Sequence, residues 1–140
     1  MVQVVVVDTS ALIALLLQES EAEQIAGILS MARTIRITAP NLLETAIVAI
    51  TRRGEKGYDQ LQAMLKRLEV EVVACDGALV EIAIQAWQQY GKGRHPAGLN
   101  FGDCFSYALA KQQSTPLLFK GEDFSQTDLL SALDLPMPGS

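Results

Sequence analysis

The chain is poor in cysteine. Its 140 residues contain two, Cys75 and Cys104, and neither sits in a CxxC pair or a cysteine–histidine cluster. That pattern excludes a disulfide-dense scaffold and a zinc ribbon, and reads as two reduced thiols in the cytoplasm with no bridge required between them. Long apolar runs are missing too. The longest, residues 11–17 and 42–50, fall well short of the roughly 18 residues that span a bilayer. No basic segment precedes the opening valines, so neither a membrane anchor nor a secretory leader is expected. Low-complexity tracts, internal repeats and Pro/Gly/Ser-rich linkers are absent, which leaves one domain over residues 1–140. Positive charge is scarce: 11 Lys and Arg against 16 Asp and Glu give a net charge of −5, which argues against a general basic surface for polyanions. What the chain does have is apolar content, 49%, ample for a single core.

Residues 2–7 are β-branched almost throughout, the mark of a strand buried on both faces of a parallel sheet. Asp8, Thr9 and Ser10 can cap a helix over residues 11–17. Ser20 and Glu23 have capping-box spacing, so a second helix is expected to run to about residue 31. Residues 35–38 form the next candidate strand, followed by a helix over 41–53 that Pro40 opens and Gly54 stops. Residues 58–68 are again helical in spacing, 70–74 a strand, and Asp76 caps a helix to about residue 90. A glycine-rich loop, a helix over 101–111 and a short strand at 116–119 complete the order. Strands alternating with helices define an α/β class, a three-layer α/β/α arrangement with a mainly parallel central sheet. Ligands of such sheets bind beyond the carboxyl ends of the strands.

Four acids fall near that edge. Asp8 follows the first strand, Glu44 lies in the first turn of the helix after the second, Asp103 opens the helix after the long loop, and Asp123 follows the last strand. Each has a structural explanation of its own. Asp8 can be an N-cap, Asn100 and Asp103 have the spacing of a capping box, and Asp123 beside Gly121 and Glu122 suits a solvated turn. Glu44 resists such an account, because Leu42, Leu43, Ala46, Ile47, Val48, Ala49 and Ile50 surround it and a buried lone carboxylate would cost several kcal/mol. Taken together, carboxylates at one edge repel one another unless a cation holds them. Oxygen ligands without His or Cys select hard ions such as Mg²⁺ or Mn²⁺. An acid cluster with open metal positions suits phosphodiester hydrolysis by a metal-activated water.

The stretches "VVVVDTSALIALLLQES", "APNLLETAIV", "LNFGDCFSYALAK" and "PLLFKGEDFSQTDL" resemble, in that order and over essentially the whole chain, the motifs of PIN-domain ribonucleases, and more narrowly the VapC toxins of type II toxin–antitoxin systems. The resemblance implies a PIN-like fold and Mg²⁺- or Mn²⁺-dependent endonucleolytic cleavage of RNA to 5′-phosphate and 3′-hydroxyl ends. It also implies a homodimer and a cognate VapB-like antitoxin partner. Carried over by position, Asp8, Glu44 and Asp103 match the three strongest acidic positions and Asp123 the fourth. Because many relatives carry an aspartate where this chain has Gly121, Glu122 or Asp128 can share or replace the role of Asp123. Ser10 matches a supporting hydroxyl, and Asn100 the polar residue that often precedes the third acid.

Against the negative net charge, Arg52, Arg53, Lys56, Lys92 and Arg94 are candidate phosphate contacts, with a solvated rim as the alternative. His95 reads as a surface residue or RNA contact, and Trp87 and Tyr90 as packing residues. The helix over 41–53, apolar on several sides, is the candidate dimer surface. Two other readings use the same residues. A phosphoacceptor receiver domain would use Asp8, Asp76 and Lys120, but it wants two adjacent acids after the first strand and leaves Glu44 and Asp103 without work. A PIN-like module that binds RNA without cutting it gains no support from the acids, since all four are present.

Overall fold

The computed structural model describes residues 3–121 and 124–134. Strand β1, Val4–Val7, is followed by α1 (Thr9–Leu16), α2 (Ala22–Met31), β2 (Thr34–Thr38), α3 (Ala39–Arg67), β3 (Glu71–Val73), α4 (Gly77–Tyr90), α5 (Phe101–Gln113) and β4 (Leu117–Leu118). The sheet has the order β3-β2-β1-β4 and every pairing is parallel. β1 runs from Val4 beside Thr34 on one flank to Val7 beside Leu118 on the other. Val5, Val6 and Val7 are fully buried. Alternation divides them between two cores: Val5 and Val7 pack with α1, α2 and α3, whereas Val6 packs with α4 and α5. The three-layer parallel arrangement is as the sequence predicts. β3 departs from a sheet buried on both faces, since Val72 is half exposed on this edge strand.

The chain leaves β1 toward β2 on one side, and the return through α4 and α5 lays β4 on the other. A crevice therefore opens at the carboxyl end of β1. No helix among the described residues is long and apolar enough to cross a membrane.

Two local readings change. Ser20 and Glu23 form no capping box: α2 starts at Ala22, with Glu21 at its N-cap in a helical conformation and no side-chain cap. The stop at Gly54 is a sharp break rather than an end. Its φ of 62° and ψ of −150° lie in a region open essentially to glycine alone, and helix resumes at once instead of after a loop. Leu61 and Met64 of the second segment then reach the same core as Ala49 of the first.

Nothing lies within 4 Å of a Cβ placed on Gly54, so Gly54→Ala meets only backbone strain. A loss of about 1–3 kcal/mol in urea unfolding is expected; unchanged stability would mean that the break is not fixed at this residue.

Candidate active site

The crevice holds a cavity of about 260 Å³ lined by Asp8, Ser10, Glu44, Asn100, Asp103 and Lys120, together with Thr9, Ile13, Val48 and Phe124. Three of the four predicted acids meet there. Asp8 leaves the end of β1 and is 4% exposed. Its carboxylate is also the N-cap of α1: Oδ2 accepts from the Ser10 N–H at 3.0 Å, while Oδ1 accepts from the Ser106 hydroxyl at 2.5 Å. Burial holds the Asp8 carboxyl above the usual carboxylate range. Hydrogen bonds from Ser10 and Ser106 oppose the shift, and the nearby Glu44 charge adds to it.

Glu44 is half buried in the first turns of α3, with Leu43, Ile47 and Ile50 turned outward at 63%, 55% and 47% exposure. Among the described residues its hydrogen-bond partners are neutral polar groups. The Thr9 hydroxyl donates to Oε1 at 2.8 Å, and Asn41 Nδ2 lies 3.4 Å from the same atom. Asp103 sits in the capping box expected of it: the Asn100 side chain accepts from the Asp103 N–H at 2.9 Å, and Asp103 Oδ2 accepts from the Asn100 N–H at 3.0 Å. Ser10 supports the site through its backbone and through its hydroxyl, which accepts from the Lys120 N–H at 3.0 Å.

Asp123 and Glu122 lie outside the described residues. Asp128 does not share the site: it is bound by the Tyr107 hydroxyl at 2.6 Å and by the Lys111 ammonium, away from the cavity lining. Asp76 does not belong to it either, since its carboxylate caps α4 by accepting from the Leu79 N–H at 2.9 Å. Lys120 does line the cavity, with its ammonium 2.9 Å from Glu19 and 3.7 Å from Glu21. That Glu19 bond holds the ammonium above its ordinary range against partial desolvation.

The five cations proposed for phosphate are absent from the lining. Arg53 reaches Leu16 O and Gln60, and Arg94 lies 4.9 Å over the Trp87 ring. His95, partly exposed, braces its own loop: Nδ1 accepts from the Ala97 N–H at 3.0 Å, and the ring packs edge-on against Tyr90. Trp87 is 44% exposed, in contrast to the buried Tyr90.

Sequence reasoning missed the scaffold beneath the acids. Thr38, Asn41, Thr45 and Ser106 are fully buried. Asn41 Oδ1 accepts from Thr38 at 2.6 Å and lies 3.1 Å from Ser106 Oγ, and Nδ2 donates to Gly102 O at 2.9 Å. Thr45 donates to Asn41 O at 2.7 Å and sits 3.0 Å from the Thr9 hydroxyl. A weak signal existed: Asn41 and Ser106 stand one helical turn from Glu44 and Asp103.

The donor set is entirely oxygen, which suits a hard divalent cation. Among the described residues no three acidic, histidine or cysteine groups close tightly enough to cage an ion, so water would complete its coordination, as is usual for Mg²⁺. Cys104 offers no thiolate, because burial, reinforced by the Asp103 charge, pushes its thiol up to about 11.

The fold is a parallel α/β/α sandwich with a buried aspartate at the end of β1 and one acid from each of two helices, α3 and α5, on the same cavity. The PIN domain family matches residues 5–130. Ribonuclease VapC of Mycolicibacterium smegmatis is 49% identical over 124 residues, 89% of this chain and 96% of that protein. Among solved structures, Mycobacterium tuberculosis VapC20, a Sarcin-Ricin loop cleaving toxin, superposes with a TM-score of 0.73 at 20% identity, covering 90% of this chain and 96% of the other. VapBC2 from Rickettsia felis, bound to a promoter DNA fragment, gives 0.71 at 13% identity over 92% and 96%. The chain belongs to the PIN-domain family, among the VapC ribonucleases.

Replacing Asp8 by Asn keeps an acceptor for the Ser10 N–H and removes a buried charge. Ser106 can turn its proton to Asn41 and accept from the new amide. Asp8→Asn is therefore expected to melt above the wild type in EDTA, and Asp8→Ala, which loses the cap worth ~1 kcal/mol, below Asp8→Asn. Calorimetry checks the order; Asn melting below Ala would contradict it.

Proposed function

We propose that this chain is the toxin endoribonuclease of a toxin–antitoxin pair, hydrolysing RNA phosphodiester bonds with Mg²⁺ or Mn²⁺ to leave 5′-phosphate and 3′-hydroxyl ends. The observation that carries the proposal is the meeting of three carboxylates, Asp8, Glu44 and Asp103, brought by separate parts of the chain to one cavity at the end of β1. Asp8, Glu44 and Asp103 would hold the cation, with Asp123 as the proposed fourth acid. When bound, that cation supplies a more acidic water and charge to stabilise the leaving oxygen.

The chain's own groups fix the acids. Ser106 and the Ser10 N–H hold both oxygens of Asp8, Thr9 aims Glu44, and the capping box sets Asp103. Preorganised carboxylates of this kind need little rearrangement at the moment of reaction. Lys120, tethered by Glu19, supplies a positive rim to a cavity that must admit a phosphate.

Partners follow from family and surface. The VapBC structures to which the fold is similar support a VapB-like antitoxin, acting in the cytoplasm where RNA targets lie. Leu43 and Ile47 on α3, Phe101 and Phe105 on α5, and Val80 and Ile84 on α4 line two apolar grooves of about 300 and 360 Å³. Phe101 is 80% exposed and common to both. The larger groove has almost no polar group with which to do chemistry, and this face is the proposed homodimer surface; it includes the outward side of the helix over 41–53.

Asp8→Asn is expected to fold yet lose RNA cleavage by at least about 10³-fold at saturating Mg²⁺, measured on total RNA freed of contaminating nuclease; cleavage at the wild-type rate would sink the assignment. Phe101→Glu is expected to shift the chain from dimer to monomer in analytical ultracentrifugation, and an unchanged dimer would place the interface elsewhere.

A further inference from the structure

Gly102 stands in the first turn of α5, where glycine weakens a helix and no positive φ calls for it. Space is what it provides. A Cβ on Gly102 would lie 2.5 Å from Glu44 Oε2, 2.7 Å from Oε1 and 2.9 Å from Cδ. All three nearest atoms belong to that single carboxyl group, and none is backbone. The Gly102 carbonyl in turn accepts from Asn41 Nδ2 at 2.9 Å, and the same amide nitrogen lies 3.4 Å from Glu44 Oε1.

We infer that Gly102 is a positioning residue for Glu44: its missing side chain is the slot into which the Glu44 carboxylate fits between α3 and α5. The inference rests on Glu44 being a site acid. The group that would have to give way is the end of a flexible side chain, so a methyl at 102 leaves the fold intact and swings the carboxylate off the Thr9 hydroxyl that aims it. The effect therefore falls on the site, while helix propensity favours the alanine.

The test compares Gly102→Ala, Glu44→Gln, Glu44→Asp and the double variant Gly102→Ala/Glu44→Asp. The readouts are Mn²⁺ binding by calorimetry without RNA, thermal melting, and RNA cleavage. Gly102→Ala is expected to melt at or above the wild type while its Mn²⁺ affinity and cleavage each fall about tenfold or more. Shortening the acid by one methylene in the double variant is expected to recover part of that affinity, although Glu44→Asp alone weakens it. Wild-type Mn²⁺ affinity in Gly102→Ala, alongside loss in Glu44→Gln, would overturn the inference. So would a lowered melting temperature that Glu44→Asp does not relieve. Full affinity and cleavage in Glu44→Gln would instead remove Glu44 from the site, a separate result that takes the inference with it.

Discussion

A carboxylate that water barely reaches governs this architecture. Asp8 is held at the end of a strand with no exposed side chain between Val5 and Val7, and burying such a charge costs several kcal/mol unless its oxygens are satisfied. The surroundings answer that demand from several directions. α1 begins at the residue after Asp8 and returns an N–H to it, and α5 brings a hydroxyl from the opposite layer. Glu44, close enough to raise the Asp8 carboxyl further, is steered by a threonine from the start of α1. What those bonds leave uncompensated is burial and the neighbouring Glu44 charge, which together hold the Asp8 carboxyl above its ordinary range.

Capping and chemistry turn out to be one arrangement here. Asp8 is an N-cap and a cavity acid at once, and Asp103 closes a capping box while lining the same cavity. A helix start fixes a carboxylate in direction as well as position, because the accepted N–H commits one of its oxygens to the helix axis. Asn41 extends the logic. Its amide touches Thr38 at the end of β2, Ser106 within α5 and Gly102 at the start of α5, so one buried side chain sets the register between the two helices that carry Glu44 and Asp103.

The legible parts of the sequence were those governed by local pattern. The valine run announced β1, the spacing of Asn100 and Asp103 announced their box, and three of the acids could be placed at the sheet edge because strand ends are visible in a linear reading. Ser20 and Glu23 failed because the chain turns before the box can form, leaving Glu21 at the cap. The helix expected over 41–53 begins two residues earlier, at Ala39 behind a Thr38 cap, and breaks at Gly54 as its glycine suggests, but nothing local says that it resumes directly afterwards. The five surface cations take the rim alternative with respect to this cavity and Lys120 lines it instead, since which basic residue faces the cavity depends on β4 lying beside β1. Thr9, Asn41, Thr45 and Ser106 were missed for the same reason: their bonds join segments that only tertiary packing brings together.

The hydroxyl that satisfies Asp8 comes from Ser106, 98 residues further along the chain. During synthesis the first acid leaves the ribosome long before the helix that completes its surroundings, and β4, which seals the other flank of β1, follows later still. An unfinished chain therefore carries Asp8 and Glu44 without Asp103, and has no cavity to close on a substrate. The cavity lining is thus complete only after α5 and β4 have been made, because Asp103, Lys120 and Phe124 are the last of its residues along the chain.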